Sequence, residues 1–379
     1  MKRRKIKENK KNVKKREGRL GKIILLLLLS FVILYLSYFL ITIFSIETKD
    51  IIGESNSYNH ILSSEMNKLD KTLIILEKGK GGDRKITDVY VYLSNSDKRT
   101  ELLIYIPSSL YYAGLEEKFG NEIPVSSFRY AGDFLENGRG IEYAIWQINQ
   151  LLGFKSEEYI YFSGEALEGL GLDFSSSSRE NINSLNKKLG FIELIKNTKE
   201  ISKLDGTIYS NLGFADIKLR LQNTVKTQDK YSREELNLGD SFFHNKGSLV
   251  TGEEINILNT TAFDQKFRSF LENITDRELE NERVRVEVYN GSELTGVAAS
   301  LGRKIVNTCC DVVRYGNAPD LSDKTKIYIS DLEKYPNSYK AVSEVFSYKY
   351  ELIEGRPDFM TTGDIVIILG NDIKDMYIF

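Results

Sequence analysis

Between Ile23 and Ile46 the chain runs for 24 residues without a formal charge, opening on Ile23-Ile24-Leu25-Leu26-Leu27-Leu28-Leu29. At about 1.5 Å per helical residue this is enough to cross a hydrocarbon core about 30 Å thick, which predicts one membrane-spanning helix over residues 23–46. Residues 1–22 hold twelve Lys or Arg against Glu8 and Glu17. That bias predicts a cytoplasmic N-terminus, with everything from Glu47 onward across the membrane. A cleaved signal peptide is the rival reading, but its apolar stretch is shorter and is followed by small residues. Here the run ends Ile43-Phe44-Ser45-Ile46-Glu47 instead. Juxtamembrane lysines and arginines of this kind also meet anionic lipid, which makes the bilayer the first expected partner.

Taking the twelve basic and two acidic residues of 1–22 from totals of 52 and 54 leaves 40 basic and 52 acidic residues, a net of −12. An acidic external part has no footprint for nucleic acid, and none is expected as a partner. With 333 residues after Ile46 and 41% hydrophobic content in the chain, about two domains with real cores are expected. The cysteines are the neighbours Cys309 and Cys310, a spacing ill suited to a disulfide, and they read as half-buried strand residues. His60 and His244 stand far apart with no ligand spacing around them, against a zinc site.

After a polar connector, 47–70, the first block spans 71–225. Lys71 to Glu77 (KTLIILE), Thr87 to Leu93 (TDVYVYL) and Glu101 to Ile106 (ELLIYI) are β-rich runs. The turn formers Ser94 to Lys98 join the second to the third as a hairpin. Gly140 to Leu152 carries apolar residues at helical spacing and is stopped by Gly153. Glu158 to Phe162 is a strand and Gly164 to Leu170 a short helix. Strands mixed with helices in this order predict an α/β or α+β domain around a mostly central sheet.

Residues 226–282 read as a linker with local order, in which Thr251 to Leu271 forms a helix with Thr251 and Glu254 as a capping box. In the final block, 283–373, Arg283 to Tyr289 (RVRVEVY) alternates in strict period two, so one face is buried. Thr295 to Val306 has a helical stripe, Cys310 to Arg314 and Lys326 to Ser330 are strands, Ser338 to Phe346 a helix, and Asp364 to Gly370 (DIVIILG) a fully buried strand. The sum is βαββαβ, which predicts a ferredoxin-like domain.

The stretches TDVYVYLSNSDKRTELLIYIP and GIEYAIWQINQLLGFKSEEYIYFSGEALEGL, followed by DGTIYSNLGFADIKLRL at 205–221, resemble the LytR-CpsA-Psr domain of bacterial cell-envelope proteins. The resemblance covers about 150 residues, in pattern more than in identity. It implies a membrane-anchored α/β fold with a pocket for polyprenyl phosphate. It also implies Mg²⁺-dependent transfer of a glycopolymer from lipid pyrophosphate to peptidoglycan. On that pattern Asp88 stands at the position of a metal ligand; as a residue alone it also reads as a turn-capping aspartate at the start of a strand. The chain departs from the family at Ile106-Pro107-Ser108-Ser109, where the pattern carries Arg-Asp after the proline, and after Gly171, where an arginine-rich stretch is replaced by four serines. Arg129 and Arg139 could stand in for the missing pyrophosphate-binding arginines; solvated loop arginines are the plainer reading. Chemistry that draws on several fixed cations weakens by orders of magnitude without them.

Residues 283–373 resemble the LytR C-terminal domain through V-x-V-x-N-G-S, T-G-x-A-x-x-L, Tyr315-Gly316-Asn317-Ala318 and D-I-V-I-I-L-G-N-D. No catalytic residues belong to that domain, and its Gly and Asn residues are explained by turn geometry. Two functions follow from the sequence. One is a non-catalytic envelope protein that binds or scaffolds cell-wall polymer or envelope partners. The other is a divergent phosphotransferase attaching glycopolymers from polyprenyl pyrophosphate to peptidoglycan, with Mg²⁺.

Overall fold

The computed structural model describes residues 22–41, 52–53, 69–113, 122–174, 176–190, 204, 206–274, 277–308, 310–346 and 348–376. Helix α1, Lys22–Ile41, has a mean hydropathy of 2.8 over its most apolar window, of which only 6% is covered by the rest of the chain. It is long and apolar enough to cross a membrane; residues 42–46 and the basic tail up to residue 21 lie outside the described residues.

A seven-stranded mixed sheet organises the first block. Its strands are β1 (Ile52–Gly53), β2 (Leu69–Lys78), β3 (Lys85–Asn95), β4 (Thr100–Pro107), β7 (Glu158–Phe162), β8 (Ile208–Ser210) and β9 (Ser232–Asn237), in the order β1-β8-β7-β2-β3-β4-β9. The hairpin expected between the second and third apolar runs is present, with Asn95 opposite Thr100 in antiparallel β3 and β4. Leu73 and Ile75 of β2 pack on one face and Ile74 and Leu76 on the other, all with no exposed surface. The run is apolar at every step because helices cover both faces. On one side lie α2 (Phe128–Leu135) and α3 (Gly140–Leu152); on the other lie α4 (Gly164–Gly169), α5 (Asn181–Lys188) and α6 (Phe214–Val225). All thirteen residues of α3 are buried, and Gly153 ends it in the left-handed conformation at φ 71°.

Residues 226–282 are not a linker. Strand β9 pairs in parallel with β4 and extends the main sheet. Strands β10 (His244–Ser248) and β11 (Glu254–Leu258) form a second sheet with β5 (Tyr111–Ala113) and β6 (Glu122–Pro124). Helix α7, Thr260–Glu272, sends Phe263, Phe267 and Phe270 into the core that α3 occupies, and Phe267 stacks on Phe154 at 4.7 Å between ring centroids. The single helix expected from Thr251 is therefore a strand followed by a shorter helix. Its cap is Asn259, whose side chain accepts from the Ala262 N–H at 3.1 Å. The alternation in Glu254–Leu258 outweighs the capping-box pattern, because β10 offers that strand a ladder.

After α8 (Arg277–Glu282), the C-terminal block contains β12 (Arg285–Asn290), α9 (Val297–Thr308), β13 (Asp311–Asn317), β14 (Lys326–Ile329), α10 (Pro336–Glu344), β15 (Glu351–Glu354) and β16 (Ile365–Leu369). The sheet order is β13-β12-β16-β14-β15, with only the β14–β16 pair antiparallel. This differs from the expected ferredoxin-like βαββαβ arrangement. The crossover through α9 leaves β12 and β13 side by side and parallel, with no strand between them, and β15 adds a fifth strand. Cys310 is buried just ahead of β13, and Cys309 lies outside the described residues.

Candidate functional site

Strands β2, β4 and β7 end, and β3 begins, at one end of the main sheet, where Asp88 faces Leu76 and Pro107 across its ladders. Crevices beyond the carboxyl ends of strands are where open α/β sheets hold ligands. Two polar nodes sit here, one on each face.

Asp88 anchors the first node. It has no exposed surface. Its Oδ1 accepts from the Tyr105 hydroxyl at 3.0 Å, the Ser177 hydroxyl at 2.9 Å and the Ser178 N–H at 2.8 Å, and its Oδ2 accepts from the Asn181 amide at 2.7 Å. Ser108, the residue that follows Pro107, donates its N–H to Ser177 Oγ at 3.3 Å. The serine run that takes the place of the expected arginine-rich stretch thus closes over Asp88 from its own chain. Tyr90 beside it donates to the Ser178 carbonyl at 2.9 Å, and burial, followed by the charge of Asp88, raises its pKa far above the ordinary tyrosine value.

The donor set does not suit Mg²⁺, which takes oxygen ligands in near-octahedral array and keeps several waters. The groups aimed at Asp88 are an amide, a backbone N–H and hydroxyls that donate to it, three of them to Oδ1 and one to Oδ2. Among the described residues no group of three or more His, Cys, Asp or Glu is placed to hold a metal ion.

Glu77 anchors the second node, on the face covered by α2 and α3. A register shift between Leu76 and Glu77 sets it opposite Ile86. Fully buried, it accepts from Arg129 Nη1 at 3.0 Å, the Tyr161 hydroxyl at 2.5 Å and the Gly164 N–H at 3.3 Å, while Arg84 Nε stands 3.9 Å away. Burial raises the Glu77 carboxyl above its usual range although Arg129, Tyr161 and Gly164 all pull it down. Tyr161 is raised well above the ordinary phenol value, by burial and then by the charge of Glu77. Arg129 also lies 5.5 Å over the Tyr161 ring, and its Nε is 3.5 Å from Asp133. Gly164 is required here: a Cβ on it would come within 2.0 Å of the Gly79 carbonyl oxygen.

The structure does not bring the three residues singled out in the sequence into one pocket. Asp88 and Arg129 lie on opposite faces of the sheet, and Arg129 is spent on Glu77. Arg139 stands at the N-terminus of α3 and donates to both oxygens of Glu142, at 2.7 and 2.8 Å, and to Glu136 at 2.7 Å. Arg129 is buried within α2, whereas Arg139 is half-buried in the loop position just before α3. Arg84 is engaged likewise, with Glu165 at 3.0 Å, and Arg179 pairs with Glu235. The sequence reading passed over Glu77 and Tyr161. A single acid closing the apolar run KTLIILE was the available signal for Glu77. No local signal marks Ser177, Ser178 or Asn181 as partners of a residue 90 positions earlier.

Residues 283–372 match the family described as LytR cell envelope-related transcriptional attenuator, as the motifs of that block suggested. No curated protein matches the chain in sequence. Among solved structures the chain is similar to protein gbs0355 from Streptococcus agalactiae, at 10% identity and a TM-score of 0.38 over 56% of this chain and 91% of that one. It is also similar to TagV from Bacillus subtilis, at 11% identity and a TM-score of 0.36 over 55% and 98%. A third is the LytR-CPS2A-psr family protein YwtF (TagT) with bound octaprenyl pyrophosphate lipid, at 10% and 0.34 over 59% and 98%. With scores below one half, these likenesses carry no weight for the reading of the site.

Proposed function

Starting from a LytR C-terminal domain at residues 283–372, a cell-envelope-related module, we propose a membrane-anchored cell-envelope protein whose first block binds or scaffolds cell-wall polymer without transferring it. In this reading α1 is the single anchor, the N-terminus is cytoplasmic, and the bulk of the chain lies outside the membrane. The ligand class is a cell-wall polymer or a polyprenyl-linked glycan, as the motifs of residues 71–225 imply.

One observation carries the non-catalytic reading: each arginine near the sheet end is already neutralised by a carboxylate of its own chain. Arg129 serves Glu77, Arg139 serves Glu136 and Glu142, and Arg84 serves Glu165. Stabilising the charge of a transferred phosphoryl group needs cations aimed at it, and here those charges are turned inward. The phosphotransferase reading keeps one observation in its favour, a buried carboxylate, Asp88, at the strand ends where such sheets hold ligands.

The test is turnover of a polyprenyl-pyrophosphate-linked glycan by the full-length protein in detergent, with and without Mg²⁺, beside an active family member. No turnover with retained glycan binding is the expected result. Mg²⁺-dependent release of lipid phosphate that disappears in both Asp88→Ala and Asp88→Asn would overturn the non-catalytic reading.

A further inference from the structure

The short strand β1 fixes which end of the main sheet stands nearest to α1. Ile52 lies opposite Ile208 of β8, Ile208 opposite Phe162 of β7, and Phe162 opposite Leu76 of β2. The chain therefore enters the sheet three strand spacings, about 14 Å, from the place where β2 leaves it for β3. Ten residues separate Ile52 from Ile41, the last residue of α1. Even fully extended they reach no further than about 40 Å. The turn that joins β3 to β4 lies at the opposite end of the sheet, about 35 Å further away along β3.

The loop at the near end reads Lys78-Gly79-Lys80-Gly81-Gly82-Asp83-Arg84-Lys85, four cations and one acid in a chain that is acidic beyond its N-terminal tail. The ladder sets Lys78 directly opposite Lys85, a pairing in which like charges repel. Gly79, at φ 83°, lets the loop close tightly, since a Cβ on it would lie 2.4 Å from the Asp83 carbonyl oxygen. Lys80 and Lys85 are exposed. Lys80 pairs with Glu168 at 2.5 Å, but both side chains are more than half exposed, and a surface pair of this kind holds its cation weakly. On the neighbouring helix α2, whose Arg129 is bonded to Glu77 at this same end, Tyr130 and Phe134 stand four residues apart on one face and are 59% and 71% exposed. The acids around them, Asp133 and Glu136, face Arg129 and Arg139.

We propose that this end of the first block rests on the membrane surface: the lysines of the β2–β3 loop bind the phosphate headgroups of anionic phospholipid, and Tyr130 and Phe134 of α2 enter the interfacial layer beside them. Lysines close to a bilayer are drawn to anionic headgroups, and aromatic side chains favour the boundary between headgroup and acyl chain. A short tether holds the patch near the surface at high effective concentration, so a few cations and two rings suffice without a deep insertion. This docking presumes α1 as the anchor; it does not depend on whether the first block is catalytic. It turns the strand ends that carry Asp88 and Glu77 toward the bilayer, where a polymer still linked to its lipid is presented.

Amide hydrogen exchange of the full-length protein in phosphatidylcholine nanodiscs, with and without about 30% phosphatidylglycerol, reads the contact. Protection at residues 79–85 is expected to rise about fivefold or more in the anionic discs and to fall back in about 0.5 M salt. The turn at 96–99 carries Lys98 and Arg99 at the opposite end of the sheet and should not change, which separates docking from general attraction. Lys80→Gln combined with Lys85→Gln alters exposed positions alone, and should lose the rise and keep the fold. In discs of brominated lipid Phe134→Trp should be quenched, whereas the buried Trp146 of the unaltered protein should not. Equal protection in the two kinds of disc, a rise that survives in the double variant, an equal rise at 96–99, or an unquenched Phe134→Trp would overturn the proposal. So would a rise with soluble inorganic polyphosphate in neutral discs and none with anionic lipid, which would assign the loop to a soluble polyanion. Failure of the protein to enter discs at all is a different result: it would overturn the anchor, and this docking with it.

Discussion

The two ends of α3 are closed by opposite means. At the N-terminal end the Gly140 N–H donates to Asp133 Oδ1 at 2.9 Å, and Glu142 sits in the first turn held by Arg139. At the C-terminal end Gly153 turns left-handed, and Arg303 and Asn307 arrive from 150 residues downstream to cap the carbonyls. Acid at the start and cations at the finish both suit the helix macrodipole. The lesson lies in the distances along the chain. The first closure is a local loop that this block supplies for itself, whereas the second is an interface that exists only when the C-terminal domain is docked. The Gln150 carbonyl also accepts from the Tyr112 hydroxyl at 3.1 Å and the Gly153 N–H at 3.2 Å, whereas the Leu151 and Leu152 carbonyls of this wholly buried helix take their side-chain partners from the C-terminal block.

Breaking the distant closure therefore costs more than breaking the local one. Arg303→Ala removes two caps and leaves Asp264 of α7, which accepts from both Arg303 and Asn307, with only Asn307. As the loss of one partner from a largely buried pair, it is expected to cost about 3 kcal/mol. Urea denaturation of the full-length protein measures this, and a loss as small as that of an exposed ion pair would contradict the comparison. Gly153→Ala comes next. It forces a Cβ into a backbone at φ 71° and against Asn307 and Arg303, for an expected cost of about 2 kcal/mol. In exchange experiments its effect should spread into α9, across the interface, and not remain in α3 alone.

The same contrast explains what the sequence could disclose. Gly140–Leu152 was legible to the residue, because a helical stripe followed by glycine is local information. Glu158–Phe162 was legible for the same reason, as a short run of β-formers. The direction in which strands of the C-terminal block run is not written in their periodicity, and so a mixed five-stranded sheet was expected to be ferredoxin-like. Strand β15, Glu351–Glu354, has four residues at an exposed sheet edge and too little apolar content to announce itself. Residues 226–282 looked like a linker because β9 is polar and half-exposed; its place in the sheet comes from pairing with Thr100–Tyr105, more than a hundred residues earlier. At the site, Asp88 stood out as a residue at the start of a strand, while its partners Ser177, Ser178 and Asn181 are joined to it only by the fold. Arg129 and Arg139 were visible as charges, and what they pair with was not.

Asp133→Ala is the smallest perturbation and the one that sharpens the comparison most. The side chain caps Gly140 and is about one-third exposed, so water can reach the N–H it leaves behind. Loss of such a cap is expected to cost about 1 kcal/mol, below Gly153→Ala and well below Arg303→Ala. Asp133→Asn keeps an acceptor oxygen within reach of the Gly140 N–H and should recover most of that loss, which separates the hydrogen bond from the charge facing Arg129 at 3.5 Å. Should Asp133→Asn prove as damaging as Asp133→Ala, the carboxylate's charge is what matters, and the N-terminal end of α3 would belong to the same ion-pair network as Glu77 and Arg129. Its closure would then be no more local than the closure at Gly153, and the asymmetry between the two ends would reduce to a difference in the sign of the charge.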